Sequence, residues 1–145
     1  MPVKMKAIND ISRCQSMYRK KNIASEDLCS NHYAFVLAIC HEPGCSQEEL
    51  AQTLCLDKST VARALAHLEK YGYITRISNE KDRRQYLVHP TEKMLNVCPR
   101  VQLVGKEWNN RLTENISPGE LEIFNQVLSR ITENAKKIMD ELEDK

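Results

Sequence analysis

Several absences narrow the reading before any motif is considered. No apolar run approaches the roughly 18–20 residues that a bilayer-spanning helix requires. The stretch from Met1 to Ile11 alternates polar and apolar residues and has no signal-peptide core. Neither sign of charge dominates: 21 Lys and Arg face 20 Asp and Glu, a formal net charge of +1. A polybasic arm and an acidic tail are thereby excluded, and any charge that attracts nucleic acid has to be concentrated locally. The six cysteines, Cys14, Cys29, Cys40, Cys45, Cys55 and Cys98, include no C-x-x-C pair, and no His cluster stands at zinc-finger spacing. Cys29, His32, Cys40 and His41 make only a partial ligand set, with no His near the C-terminus to complete it. A glycine-rich phosphate loop, a nucleophile elbow and a paired-carboxylate frame are missing as well. His67 and His89 have no evident nucleophile, so an enzyme is not expected. These features predict a cytoplasmic protein without metal or cofactor, its thiols reduced and most of them buried as small hydrophobes.

What is present is mainly helical. With 145 residues, 41% of them hydrophobic, the chain is long enough for one domain with a sizeable core. Ile8, Ile11, Cys14 and Tyr18 are spaced for one face of a first helix, which the basic stretch from Arg19 to Asn22 should end or expose. A second helix covers about 30–41, and Pro43-Gly44 turns the chain. Ser46-Gln47-Glu48-Glu49 is a capping box that opens a short third helix. Asp57 caps a fourth, which keeps Val61, Leu65 and Leu68 on one face and stops at Gly72. Two β-rich runs, 73–77 and 85–89, flank a charged tip and predict a hairpin. Two long helices follow. The first contains Pro99, expected to kink it. The second opens on the capping box Ser117-Pro118-Gly119-Glu120 and carries the stripe Leu121, Phe124, Leu128, Ile131, Ala135, Ile138 and Leu142.

Short helix, turn, capped helix, hairpin: this order is a winged helix-turn-helix. The fold class expected is therefore mainly α with a small β-hairpin. In such a unit the second helix buries one face and offers the other to the major groove. At about 100° per residue, Ser59, Arg63, Ala66 and Lys70 lie opposite Val61, Leu65 and Leu68. Arg63 is the one long donor near the middle of that face, suited to bidentate bonding of guanine O6 and N7, and the small Ala62 and Ala66 allow close approach. Lys58, Ser59 and Thr60 at the helix start suit phosphate, as Ser46 and Gln47 do on the preceding helix. His67 and Arg76 complete the set of candidate DNA contacts on the fourth helix and first strand. At the hairpin tip Lys81, Arg83 and Arg84 suit a narrow minor groove, with Asp82 a structural partner. From Asp57 to His89 seven basic residues stand against four acidic, a net +3 that leaves −2 for the remainder. The asymmetry is in the direction that DNA binding requires.

Glu42-Pro43-Gly44-Cys45-Ser46-Gln47-Glu48-Glu49-Leu50-Ala51, Leu56-Asp57-Lys58-Ser59-Thr60-Val61, Leu68-Glu69-Lys70-Tyr71-Gly72-Tyr73-Ile74-Thr75-Arg76, Asp82-Arg83-Arg84 and Pro90-Thr91-Glu92 together resemble the MarR family of transcriptional regulators. The resemblance covers nearly the whole chain. It implies one domain over 1–145, with a winged lobe at about 29–90 and dimerisation helices at about 4–21 and 91–145. It further implies a homodimer on a pseudo-palindromic operator in double-stranded DNA, acting as a repressor and released by a small aromatic or anionic effector. By matching position, Arg63 reads bases, Arg83 enters the minor groove, and Arg84 pairs with Asp82 to brace the wing. Arg13 and His32 are candidates to hold an effector carboxylate, and Cys14 resembles the peroxide-sensing thiol of some relatives. Where relatives carry Leu-Thr and Gln, this chain has Leu28-Cys29 and His32. The rival readings are a thiol-based sensor of the same fold and a winged helix that contacts only protein. The latter needs neither an outward Arg63 nor an arginine-rich wing.

Overall fold

The computed structural model describes residues 1–23 and 27–144. In chain order the elements are α1 (Met5–Asn22), a 3-10 turn (Ser30–His32) leading into α2 (Tyr33–His41), β1 (Cys45–Ser46), α3 (Gln47–Leu54), α4 (Lys58–Lys70), β2 (Ile74–Ser78), β3 (Tyr86–Pro90), α5 (Glu92–Leu112) and α6 (Pro118–Glu143). Two compact units result, Met1–Trp108 and Asn109–Lys145, the boundary falling inside α5.

Local chemistry sets the boundaries of the middle helices. Ser46 Oγ accepts the Glu49 amide at 3.1 Å and starts α3. Asp57 Oδ1 accepts the Thr60 amide at 2.8 Å and starts α4, satisfying a donor that the first turn leaves open. Past the end of α4, Gly72 takes φ +79 with no atom near a would-be Cβ, so it is the backbone conformation that calls for glycine there. Gly44 differs: at φ +85 an added Cβ would also lie 3.1 Å from the His89 ring.

The hairpin of β2 and β3 has the expected place, with Ile74 opposite Pro90 and Ser78 opposite Tyr86. Sequence reading missed the third strand. Cys45 and Ser46 pair antiparallel with Val88 and Leu87, giving the sheet order β1-β3-β2. A two-residue strand is too short to show an alternation, and only its partner reveals it. Of the two outcomes expected for the basic stretch, exposure is the one found: α1 runs on to Asn22, with Lys20 and Lys21 exposed. Asn22 Nδ2 donates to the Tyr18 carbonyl at 2.8 Å, and Arg100 Nη2 donates to the Asn22 carbonyl at 2.9 Å. The helix α5 is continuous across Pro99.

The core of the first unit gathers Phe35, Val36 and Ile39 of α2, Leu50 of α3, Val61, Leu65 and Leu68 of α4, Ile74 and Val88 of the sheet, and Met94, Val101 and Val104 of α5. On α1, by contrast, no residue is buried: Ile8 and Ile11 are 37% and 46% exposed. Among the described residues of the second unit the expected capping box is present, with Ser117 Oγ accepting the Glu120 amide and Glu120 Oε2 accepting the Ser117 amide. The Ser117 amide and hydroxyl, both donating to Glu120 Oε2, hold the Glu120 carboxyl below the usual range. Phe124, Ile138 and Leu142 on the α6 stripe are exposed.

Leu65, with no accessible surface, backs α4 against this core. Leu65→Ala is expected to cost about 2–5 kcal/mol, while Ser59→Ala on the opposite face stays within about 0.5 kcal/mol; urea denaturation of both variants measures the difference.

Candidate nucleic-acid interface

The two faces of α4 separate as the periodicity requires. Val61, Leu65 and Leu68 are fully buried. Lys58, Ser59, Arg63, Ala66 and Lys70 are exposed, with Thr60 and Ala62 half-buried at the edge. At the helix start Thr60 donates its hydroxyl to Asp57 Oδ2 at 2.7 Å. Together with the Thr60 amide, this bond holds the Asp57 carboxyl below its ordinary range. Arg63 Nη2 reaches back to Thr60 Oγ1 at 3.5 Å. That is a loose contact for a group with five N–H donors, so the guanidinium keeps most of its capacity for an outside acceptor.

The wing tip is built so that its cations face outward. Asn79 and Gln85 close the loop through the Asn79 amide to the Gln85 carbonyl at 3.0 Å and through their side chains at 3.3 Å. Asn79 Oδ1 accepts the Lys81 amide and Asp82 Oδ1 accepts the Arg84 amide, both at 3.0 Å. Such local turns fix the backbone without using the basic side chains. Lys81, Arg83 and Arg84 are all exposed. The brace expected between Asp82 and the Arg84 side chain is thus corrected: Asp82 holds the Arg84 backbone.

A polar cluster behind α4 fixes its position, and sequence reading had not joined its members. The Asp27 carbonyl accepts from His67 Nε2 at 2.8 Å, so that nitrogen carries the proton. The Asp27 carboxylate accepts the Tyr73 hydroxyl at 2.7 Å and Lys93 Nζ at 2.6 Å. Lys93 also donates to the Tyr71 carbonyl at 2.7 Å and lies 4.3 Å over the Tyr73 ring. Its hydrogen bond to Asp27 pushes its pKa up. The His67 ring stacks on His32 at 4.3 Å and meets Tyr71 at 4.6 Å. His32 is buried, and its Nδ1 accepts the Cys29 amide at 3.2 Å. Burial, and then the neighbouring His67, depress the His32 pKa.

Three candidate contacts have partners within the chain. Ser46 is buried in β1 with its hydroxyl occupied by the cap of α3. His67 turns inward to Asp27 and His32. Arg76 is drawn onto Glu69 of α4, with Nε to Oε2 at 3.2 Å, and joins strand to helix. Gln47 is half-buried at the start of α3. The effector candidates are not gathered either. Arg13 is exposed and ion-paired with Asp10 at 3.6 Å, while His32 is buried elsewhere. The α1 cation that reaches α2 is Arg19, 5.8 Å over the Tyr33 ring, whose hydroxyl donates to the Arg19 carbonyl at 3.2 Å. Burial lowers the pKa of Arg19. Most cysteines are not buried: Cys14, Cys29 and Cys55 are exposed, and only Cys45 and Cys98 are enclosed. Cys14 is exposed on the α1 face whose Tyr18, one turn on, packs against the core. Among the described residues no three His, Cys, Asp or Glu side chains converge as metal ligands.

Residues 30–86 match the MarR family. A MarR transcriptional regulator from Methanosarcina mazei Go1 is 35% identical, with 92% of this chain and 96% of that one covered and a TM-score of 0.81. The chain belongs to the MarR family. Two further similarities fit that membership. A MarR-family regulator from Listeria monocytogenes, solved in complex with a 26mer DNA, is 25% identical over 92% of this chain and 89% of its own, with a TM-score of 0.86. YybA, an uncharacterised HTH-type transcriptional regulator of Bacillus subtilis (strain 168), is 26% identical over 133 residues, 92% of this chain and 89% of its own. As a MarR-family protein the chain is a DNA-binding transcriptional regulator of winged-helix fold, and no helix among the described residues is long and apolar enough to cross a membrane.

The His32 shift has a definite sign. A histidine whose folded pKa lies below its ordinary value takes up protons more readily when unfolded, so stability is lost as pH falls through about 6.5. His32→Gln, which keeps an acceptor for the Cys29 amide, is expected to flatten the fall in melting temperature between pH 7.5 and 5.5; an unchanged slope places the acid sensitivity elsewhere.

Proposed function

We propose that this MarR-family protein is a homodimeric repressor that binds a pseudo-palindromic operator and is released by a small anionic or aromatic effector. The observation that carries the reading is the division of α4: one face wholly buried, the other exposed around Arg63, beside a wing tip whose backbone is tied down and whose arginines are not. In this reading Arg63 bonds a guanine edge, Ala62 permits close approach, and Lys58, Ser59, Thr60 and Gln47 meet phosphates. Arg83 enters the adjacent minor groove, with Lys81 and Arg84 beside it. Ser46, His67, Arg76 and Asp82 hold these groups in place. Residues 29–90 form the DNA-binding lobe, and 4–21 with 91–145 supply the dimer contacts. The exposed apolar residues of α1 and α6 support that assignment, since a second copy would cover them. Two-fold symmetry then asks for half-sites one helical turn apart, about 34–36 Å.

Release follows from linkage. An effector that binds better to the lobe arrangement unable to span both half-sites lowers DNA affinity by the same factor. Arg19, desolvated and lying over the Tyr33 ring, is the cation we assign to an effector carboxylate.

The test is a pair of substitutions on an operator obtained by selection from random DNA. Arg63→Ala is expected to lower operator affinity relative to random DNA by about 1–3 kcal/mol. An unchanged ratio rules out base reading by Arg63 and favours the protein-contact rival. Arg83→Ala is expected to weaken binding most where the flanks are AT-rich; equal loss on every flank makes Arg83 a phosphate contact only.

A further inference from the structure

Two imidazole rings meet face to face behind the helix that carries Arg63. His32, 5% exposed, and the half-buried His67 stack with ring centroids 4.3 Å apart and planes 27° from parallel. His32 Nδ1 accepts the Cys29 amide at 3.2 Å, so that nitrogen is without a proton. His67 Nε2 donates to the Asp27 carbonyl at 2.8 Å. One ring belongs to the turn ahead of α2 and the other to α4. The stack therefore ties α4 to the body of its own unit.

We propose that His32 and His67 are a positioning pair that holds α4 for DNA reading only while both rings are neutral, so that mild acid releases the operator. This regulation presupposes the reading in which α4 presents Arg63 to bases.

The hydrogen bonds show why neutrality is required. With Nδ1 as acceptor, the hydrogen of neutral His32 is on Nε2, and a further proton can enter only at Nδ1. It would meet the Cys29 N–H donor against donor, and the amide would lose its acceptor. A second charge on His67 would lie parallel to the first in a partly buried place, where like charges repel. The surrounding groups do not offset this. The Asp27 carboxylate is already balanced by Lys93 of α5 at 2.6 Å and accepts the Tyr73 hydroxyl as well. At the end of α4, Tyr71 meets the His67 ring and Lys70 lies 5.5 Å over Tyr71. On the α1 side Arg19 lies over the Tyr33 ring. Burial, and then His67, depress the His32 pKa in the same sense.

A displaced α4 opens the stack to water, where histidine titrates near its ordinary value of about 6.5. The displaced arrangement therefore takes up protons more readily than the engaged one. Operator affinity is complete above about pH 6.5 and is lost below it, by up to about tenfold per pH unit for each proton taken up. The sign separates this role from a direct contact. A histidine touching phosphate binds DNA more tightly once protonated, whatever the sequence.

The experiment uses the full chain at constant ionic strength. Its affinity is measured from pH 7.5 to 5.5 for a duplex selected from random DNA at pH 7.5 and for an unselected duplex, with circular dichroism at each pH. Operator affinity is expected to fall about tenfold, while affinity for the unselected duplex holds or rises and the fold persists. His32→Gln keeps an acceptor for the Cys29 amide, and His67→Gln keeps a donor for the Asp27 carbonyl; each is expected to flatten the operator profile. If one variant does not fold, the other carries the decision. Operator affinity that stays level or rises toward pH 5.5 overturns the proposal. So does a fall that persists in the folded variants, or one that comes with loss of the fold and of all DNA binding. Failure to select any sequence at pH 7.5 removes the α4 reading and the acid release together, whereas a selected operator without acid release removes the histidine pair alone.

Discussion

The dry face of α4 is the constraint on which the remainder depends. With Val61, Leu65 and Leu68 at zero exposure, the helix has no rotational freedom: turning it by one residue would move a leucine into water and a charged side chain into the core. Burying such side chains is worth about 1.5–3 kcal/mol each. That fixed rotation is what makes Ser59, Arg63 and Ala66 a defined surface. The position of Arg63, to which we assign base reading, is therefore set from behind, by residues buried in the core.

Apolar packing fixes rotation but leaves sliding and tilt to be settled, and the Asp27 cluster settles them. One residue receives His67 of α4, Tyr73 ahead of β2 and Lys93 of α5. Helix, wing and long helix are thus tied to a single point. Arg76 on Glu69 adds a second tie between the strand and α4. The stacked His32 and His67 lie in the same place, which joins the alignment of α4 to the protonation of a buried ring.

How far the fold could be read from sequence follows from the range of each interaction. The caps at Ser46, Asp57 and Ser117 are legible because donor and acceptor lie three residues apart. The face of α4 is legible because its period is helical. The Asp82 turn at the wing tip could be located, although its bond goes to the Arg84 backbone and not to the side chain. What escaped was non-local. His67 and Asp27 are 40 residues apart, and no pattern within α4 marks a half-buried histidine as a structural ligand when it is equally suited to face DNA. Ser46 had the right chemistry for phosphate, but pairing of Ser46 with Leu87 buries it. In the basic stretch Lys20 and Lys21 are exposed as their charge suggests, but the cover that the Tyr33 ring gives Arg19 comes from another element and leaves no local signal. Cys14 has helical company in Ile8, Ile11 and Tyr18, yet only Tyr18 of that face packs against the core of its own chain.

The near-zero net charge is compatible with DNA binding only because it is uneven: +3 between Asp57 and His89 against −2 elsewhere. A dimer would double the basic lobes and set their spacing. Selection of random duplex DNA with the purified protein, repeated at stepped salt concentrations, tests this most directly. An enriched inverted repeat with half-sites about 10–10.5 base pairs apart, centre to centre, is expected, with affinity that falls steeply with salt. No enriched motif, together with a flat salt response, would contradict it.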